Sequence, residues 1–395
     1  MGRTGTKTKR MKTPKQPAAN QKKAVISSVK DELRAAATAQ DGDAALPKPS
    51  ITIHKEWKTA VQEYVTLYNQ MEIDRDSSKY SRLVNDSDHM QRLNRRLDRL
   101  KESEMRRHVV PRRSETHASL QRVNEPLRGG EVTLLLELHI ARTIEQYGRS
   151  YAEERYERER LWLAIDESGG YSIIRIEPLV LERRPRYSSR QSKELEEDET
   201  LEVLRNIGSI PYLNYDILAN FKQGRNSVFY RRDLAAAYAD QWWNKPNPDY
   251  ENFEVNCTNY VSQCLFAGQA PMNYTGKRES GWWYRGYSGK REMWSYSWAV
   301  AGSLQQFLSA ARETGLRAVA VESPDLLSLG DVIIYDWSGD GRYQHSTIVT
   351  AFDSSGMPLV NANTVASRHR YWDYRDSYAW TEQTRYRFFH IADEL

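Results

Sequence analysis

Residues 256–265 read Asn-Cys-Thr-Asn-Tyr-Val-Ser-Gln-Cys-Leu and contain both cysteines of the chain. The apolar positions Val261 and Cys264 predict a buried helix, and Gly268 is a typical helix end. Cys257 then lies at or near the helix N-terminus, where unpaired N–H groups and the helix dipole stabilise a thiolate. The stretch predicts a nucleophilic cysteine, with a buried structural thiol as the alternative.

Two cysteines in 395 residues exclude a disulfide-rich scaffold and a four-cysteine zinc site, and they fit a reducing compartment. On one helix Cys257 and Cys264 would be about 10.5 Å apart, which is too far for a disulfide. Cys264 is interpreted as a small core residue. The two cysteines and His345 do not have the spacing of a zinc site, so we expect neither a metal nor another cofactor.

Three strand-like stretches between residues 330 and 363, joined by turn residues, predict an antiparallel meander. His345 begins the middle strand and is the candidate base for the thiol. A turn close to Ser355 places His345 opposite position 364 or 366. Asn363 is then close enough to orient the imidazole, and Asn361 on the same face is the alternative.

Three motifs carry a resemblance to a known family. They are the stretch at 256–265, Gly-Asp-Val-Ile-Ile-Tyr-Asp-Trp at 330–337 and His-Ser-Thr-Ile-Val-Thr at 345–350. Together they resemble the bacterial putative amidase domain family, which is similar to papain-like cysteine peptidases of cell-wall-hydrolase type. The resemblance covers residues 226–395. It implies an α+β, papain-like fold, in which a helix with the cysteine packs on an antiparallel sheet with the histidine.

The resemblance also implies a chemistry, cleavage of an amide bond in a peptide or cell-wall-type glycopeptide. Cys257 is the implied nucleophile and His345 the implied base. Asn363 takes the third role, although the family is expected to have a His-Thr pair at 363–364 and Asp or Asn near Ala366. These departures favour a second interpretation, a domain that binds peptide or glycan without cleavage. Acyl transfer instead of hydrolysis also remains open.

Aromatic residues are concentrated between the cysteine helix and the meander. Trp282, Trp283 and Trp298 are interpreted as the wall of a substrate groove, together with Asn256 beside the nucleophile. The alternative is that these rings fill the core of a small sheet.

Residues 51–185 are predicted to form a small α+β accessory domain. Apolar residues fall on one face of each of two helices, and period-two alternation at 132–144 predicts a strand. A hairpin is predicted around Gly169. The arginines of the second helix, Arg96 among them, alternate with acidic residues, a pattern that is typical of a solvated face.

Residues 1–50 are read as a disordered basic tail and residues 186–225 as a linker before the amidase domain at 226–395. Nine of the 57 basic residues lie in the first 30 positions, which contain no acidic residue, so the rest of the chain is slightly acidic. We therefore expect no nucleic acid as partner, and the tail is predicted to contact an acidic surface. Neither a membrane span nor a signal peptide is recognised, which predicts a cytoplasmic protein.

Overall fold

The helices and strands are those of a computed structural model that describes residues 56–125, 130–167, 169–183, 228–288 and 291–395. All of these residues belong to one compact unit, Ile53–Leu395. The predicted tail at 1–50 and the predicted linker at 186–225 lie outside the described residues. The described part is an α+β structure with a large antiparallel sheet and a few helices.

The N-terminal part, residues 56–183, is called the accessory module here. It consists of two helices and four antiparallel strands: α1 (Trp57–Asp74), α2 (Ser87–Arg107), β1 (Val109–Asn124), β2 (Val132–Gln146), β3 (Arg149–Ile165) and β4 (Tyr171–Pro178). Short 3₁₀ turns lie at Tyr80–Arg82 and Leu181–Arg183.

Side-chain periodicity explains this arrangement. Alternate residues of β2 are buried from Val132 to Gln146, and those from Val132 to Ile140 share a hydrophobic core with the apolar faces of α1 and α2. The predicted strand at 132–144 and the hairpin around Gly169 are confirmed. The helical face predicted from the first apolar stripe is also confirmed, because Tyr64, Tyr68 and Met71 are all buried.

The solvated face predicted for α2 is wrong at Arg96. This side chain is 1% exposed, and its Nη2 donates to Glu157 Oε1 over 2.6 Å. Its Nε donates to the backbone oxygen of Asp376, 280 residues away in the chain. A buried guanidinium is tolerated here because carboxylates from distant segments neutralise it.

Residues 228–395 form the C-terminal module. Its helices are α3 (Arg232–Trp242), α4 (Cys257–Ala267), α5 (Tyr296–Ala299) and α6 (Ala301–Ser309), with a 3₁₀ turn at Pro324–Leu326. Its strands are β5 (Tyr284–Ser288), β6 (Arg291–Trp294), β7 (Ala318–Val321), β8 (Val332–Asp336), β9 (His345–Phe352), β10 (Pro358–Ala362), β11 (Ser367–Tyr371) and β12 (Arg385–Ile391). The predicted meander is confirmed as β8, β9 and β10.

One sheet runs through both modules. Within the described ranges it has ten strands in the order β1-β2-β3-β11-β10-β9-β8-β12-β7, and β4 also pairs with β3. The junction is short: β11 pairs with β3 at Ser367 and Arg155 and at Arg368 and Glu154. The backbone N–H of Tyr156 also donates to the oxygen of Ala366.

The C-terminal part of this sheet separates two hydrophobic cores. Along β8, Val332 and Ile334 point into the core that contains α4. Ile333 and Tyr335 point to the other side, into a second core with Trp337. No described helix combines the length and the apolar character that a membrane span requires.

Candidate active site

Cys257 is the first residue of α4, which confirms its predicted position at a helix N-terminus. The N-cap residue Asn256 makes no side-chain capping bond. Thr364 supplies the acceptor instead: its Oγ1 lies 2.6 Å from the backbone N of Asn256 and 2.8 Å from that of Cys257. Two N–H groups at the start of α4 therefore converge on one hydroxyl oxygen from the turn after β10.

The thiol itself is enclosed. Cys257 is 2% exposed, and its Sγ lies 3.8 Å from Thr258 Oγ1 and 3.9 Å from the backbone oxygen of Gln344. Burial raises the pKa of the Cys257 thiol, although several hydrogen bonds act in the opposite direction. We expected the helix terminus to stabilise a thiolate, and in this conformation desolvation outweighs it.

His345 begins β9 as predicted, but its ring lies in the second core. The ring centroids of Tyr335, Trp337 and Tyr374 are 5.4, 5.8 and 5.3 Å from its own. Nε2 is 3.5 Å from the Tyr374 hydroxyl, and Nδ1 has no hydrogen-bond partner among the described residues. Burial, and to a lesser degree the charge of Arg370, lowers the pKa of His345 to about 3, so the imidazole is neutral.

The thiol and the imidazole are not brought together. The next residue in β9, Ser346, faces α4, because its Oγ lies 3.2 Å from Thr258 Oγ1. Successive strand residues point to opposite faces, so the ring of His345 is on the face away from α4. Within the described part of the chain, no hydrogen bond joins Cys257 and His345.

The predicted orienting residues have other partners. Asn363 Oδ1 accepts from Asn256 Nδ2 over 2.7 Å, and Asn363 Nδ2 donates to the backbone oxygens of Trp242 and Trp243. Asn361 Oδ1 accepts from the Thr350 hydroxyl and from a backbone N–H in β11. Neither amide is hydrogen-bonded to His345. Asn363 instead connects the turn after β10 to the residue before the cysteine.

The prediction that three tryptophans form the wall of a substrate groove is wrong. Trp282, Trp283 and Trp298 are each 0% exposed. Their indole N–H groups donate to Ser262 Oγ, to backbone oxygens at 277 and 280, and to Asn259 Oδ1, respectively. With the one polar atom of each ring satisfied internally, these tryptophans pack in the interior, which was the alternative interpretation.

A cavity of about 620 Å³ lies next to this site, and we call it the interface cleft. Its lining comprises residues 156–158 of β3, the loops at 244–246 and 251–254, the turn at 363–366, Glu137 and Leu181. Sequence reasoning missed it because β3 and the turn are about 200 residues apart. The only local signal was the departure from the expected family pattern at Asn363 and Ala366.

Backbone strain marks the same turn. Val365 has a φ of +48°, in the left-handed region that a β-branched residue rarely adopts. Such strain persists only where the surrounding structure enforces it, and it is concentrated at functional sites. Asn363 and Thr364, which are hydrogen-bonded to the start of α4, restrain the backbone on the N-terminal side of Val365.

Comparison with known proteins gives a family match over the part of the chain that contains these residues. The stretch 229–389 matches the model of the family described as "Putative amidase domain". This part of the chain is similar to that family. The match includes Cys257, His345 and the turn at 363–366, and the family description indicates amide hydrolysis in general terms.

Two curated proteins of Bacillus subtilis (strain 168) are similar to this chain. "Uncharacterized protein YhbB" is 54% identical over 165 residues, which are 42% of this chain and 51% of that protein. "Uncharacterized protein YjcM" is 28% identical over 125 residues, which are 30% of this chain and 27% of that protein. The chain thus spans about half the length of the first relative and about a quarter of the second.

A solved structure of the intermembrane space region of the chloroplast protein ARC6 aligns with 31% of this chain and 93% of that one. The sequence identity is 10% and the TM-score is 0.23, which does not indicate a shared fold.

For metal binding, the described ranges contain no group of three or more His, Cys, Asp or Glu side chains placed to hold an ion.

Proposed function

We propose that the amidase domain is a cysteine-dependent amide hydrolase with Cys257 as its nucleophile. The observation that carries this proposal is the convergence of the backbone N–H groups of Asn256 and Cys257 on a single oxygen, at 2.6 and 2.8 Å. An oxyanion hole requires backbone N–H donors at such distances from one oxygen position beside the nucleophile. In the described conformation the oxygen is that of Thr364.

The proposed reaction has two stages. The Cys257 thiolate attacks the carbonyl carbon, and the carbonyl oxygen takes its negative charge into the position of Thr364 Oγ1. The C–N bond then breaks, and the amine leaves with a proton while the acyl group remains on sulfur as a thioester. Water cleaves the thioester to a carboxylic acid and restores the thiol. An amine in place of water would make the second stage an acyl transfer.

The described conformation corresponds to a closed state. Thr364 occupies the proposed oxyanion position, and Cys257 is buried with a raised thiol pKa. Substrate must displace the turn at 363–366 before the carbonyl can reach the sulfur. His345 is the proposed base, and Asn363 is the proposed group that orients it. Both roles require the start of β9 to rearrange so that the imidazole of His345 faces α4.

The substrate class is proposed to be a peptide or glycopeptide. The test is release of primary amine from capped peptides and from muropeptide-type glycopeptides, followed with an amine-reactive dye. Cys257→Ala should reduce the release at least 100-fold, because the covalent route is lost. Cys264→Ala is the matched control, since it removes the other buried cysteine of the same helix. Equal release by the parent and by Cys257→Ala would contradict the proposal.

A second candidate is a domain that binds peptide or glycan without cleaving it. The observation that favours it is the position of His345 on the sheet face away from Cys257, where its neutral ring packs against aromatic rings such as that of Trp337. It predicts no amine release by the parent protein from any of these compounds. It also predicts that Cys257→Ala leaves the affinity for the ligand unchanged.

The predictions about the tail's partner and about the location of the protein remain proposals. The basic tail at 1–50 is proposed to contact an acidic surface, and a cytoplasmic address is proposed for the chain. The division into a tail, an accessory domain, a linker and an amidase domain is likewise a proposal. It has to accommodate the finding that β3 and β11 belong to one sheet.

A further inference from the structure

Three aromatic rings enclose the imidazole of His345, and the accessory module contacts the segments that carry two of them. Trp337 Nε1 donates to the backbone oxygen of Glu182 over 2.9 Å. Tyr374 has its ring centroid 5.3 Å from that of the imidazole, and its hydroxyl lies 3.5 Å from His345 Nε2. Glu182 is outside the stretch 229–389 that matches the amidase family. The surroundings of the proposed base therefore depend on a part of the chain beyond that match.

Tyr374 belongs to the segment 373–379 between β11 and β12, which we call the junction loop. Four of its backbone oxygens accept hydrogen bonds from arginines of the accessory module. Arg96 binds the oxygen of residue 376, Arg99 those of residues 375 and 377, and Arg183 that of residue 379. Hydrogen bonds from charged donors are stronger than those between neutral groups. The accessory module therefore fixes the backbone path of this loop.

The junction loop is strained at Tyr374. Its φ of +54° lies in the left-handed region that residues other than glycine rarely adopt. The side chain is fully buried, and its hydroxyl lies 3.0 Å from Ser367 Oγ at the start of β11. Strain of this kind persists only where the surrounding structure enforces it. The arginine contacts begin directly after Tyr374, so their loss should let its ring move away from His345.

Two of the three arginines can be replaced without disturbing the buried ion network. Arg96 is 1% exposed and compensates Glu157, so its removal would unbalance buried charges. Arg99 and Arg183 donate to backbone oxygens of the loop instead, and neither forms an ion pair within the described ranges. Replacing either of them weakens the hold on the loop alone.

We propose that the accessory module controls the amidase domain by holding the junction loop against His345, with Arg99 and Arg183 as positioning residues for the imidazole. The inference rests on the proposed function in one respect, because the role of this imidazole as a base is itself proposed. The held ring lies in the second core, on the sheet face away from α4. Release of the loop withdraws Tyr374 from the ring and frees the start of β9 to rearrange.

Diethyl pyrocarbonate modifies neutral imidazole and measures the enclosure of His345 in the full chain without turnover. Peptide mapping by mass spectrometry gives the rate at pH 7 for the parent and for each variant. We expect His345 to react at least fivefold faster in Arg99→Ala and in Arg183→Ala. Arg95→Ala is the matched control, because Arg95 lies one turn earlier on α2 and its printed contacts are with Gln91 of the same helix. Its rate should equal that of the parent.

The pH dependence of this reaction distinguishes positioning from a general loss of stability. In the parent, burial and the charge of Arg370 hold the pKa of His345 at about 3, so the rate should stay constant from pH 8 to pH 5. In Arg99→Ala the released ring should titrate closer to the ordinary value of roughly 6.5, and the reaction should slow over this range. Cys264, which is 0% exposed beside α4, should resist iodoacetamide as it does in the parent.

Equal rates for His345 in Arg99→Ala and Arg95→Ala, or a parent-like rate in Arg183→Ala, would overturn the inference. So would alkylation of Cys264 that accelerates together with the reaction of His345, because the whole fold would then have loosened. If the proposed function also holds, Arg99→Ala releases amine faster than the parent. Failure of that function alone has a different signature: no variant releases amine, while His345 still reacts faster in Arg99→Ala. Amine release by the parent with equal His345 rates in Arg99→Ala and Arg95→Ala rejects the inference and leaves the function intact.

Discussion

Thr364 Oγ1 accepts a hydrogen bond of 2.8 Å from the backbone N–H of Cys257. A hydroxyl from the turn after β10 thus satisfies a donor that a helix N-terminus leaves unpaired. The same donor is the one that a tetrahedral intermediate at Cys257 would require. This contact caps α4, and in the proposed reaction the substrate would have to displace it.

Replacing this hydroxyl should destabilise the fold. Thr364→Val keeps the shape of the side chain but leaves the N–H groups of Asn256 and Cys257 without their acceptor. We expect the free energy of unfolding to fall by about 2 kcal/mol, as for other buried donors that lose their partner. Urea denaturation measures it, and Thr364→Ser, which retains the hydroxyl, is the control. Unchanged stability of Thr364→Val would show that the two N–H groups do not depend on this acceptor.

Reactivity of Cys257 should depend strongly on pH. Because burial raises its thiol pKa, little thiolate is present at pH 7 and the fraction grows only at alkaline pH. In the variant Cys264→Ala, iodoacetamide should alkylate Cys257 more slowly than it alkylates N-acetylcysteine amide at pH 8. The midpoint of the pH dependence of the alkylation rate should also lie at higher pH for Cys257. A midpoint below that of the small thiol would show that the closed conformation is not the main one in solution.

His345 should make the protein sensitive to acid. Its folded-state pKa of about 3 lies below the unfolded value of roughly 6.5, so its contribution to stability is complete above pH 6.5 and is lost as the pH falls toward 3. Between pH 7 and pH 4 the parent should lose up to about 3 kcal/mol more stability than His345→Phe.

Urea denaturation at the two pH values provides the comparison. His117→Phe, at an exposed position of β1, should retain the acid sensitivity of the parent. If His345→Phe also retained it, the imidazole would have to be accessible to solvent. In that case the ring would not occupy the second core in solution.

Asp376 should be essential for joining the modules. Its carboxylate binds Arg370 of β11 through contacts of 3.0 Å and lies 3.7 Å from Arg155 Nε in β3. Burial opposes its ionisation, yet Arg370 and the neighbouring arginines hold the pKa of Asp376 well below its usual range. Asp376→Asn leaves buried guanidinium charges uncompensated and should cost about 3–5 kcal/mol.

Chemical denaturation with far-ultraviolet circular dichroism follows this loss. Asp340→Asn is the control, because Asp340 forms its ion pair with Arg342 on the surface and should change stability by less than about 1 kcal/mol. A similar small effect for Asp376→Asn would mean that the arginines find other counter-charges. The buried network would then not hold β3 and β11 together.

Features that depend on neighbouring residues were predictable from the sequence. Local patterns predict the alternation along β2, the helix that begins at Cys257 and stops before Gly268, and the meander around His345. Each requires only the period of the side chains and the chemistry of turn residues. No tertiary contact needs to be known for any of them.

Features that depend on distant residues were not predictable. A strand beginning at His345 can face α4 with either its odd or its even residues, and the contact between Ser346 and Thr258 decides the matter. Arg96 is buried only because Glu157 and the backbone of Asp376 meet it from other segments. The three tryptophans could pack inward because the interior supplied an acceptor for every indole N–H.

The short pairing between β3 and β11 also limits how the protein can be divided. Removing the accessory module would leave β11 with one row of backbone N–H and C=O groups without partners. An open strand edge of this kind is a template for association with another chain. The C-terminal module produced alone would thus tend to self-associate or aggregate through β11, because in the whole chain β3 of the accessory module covers this edge.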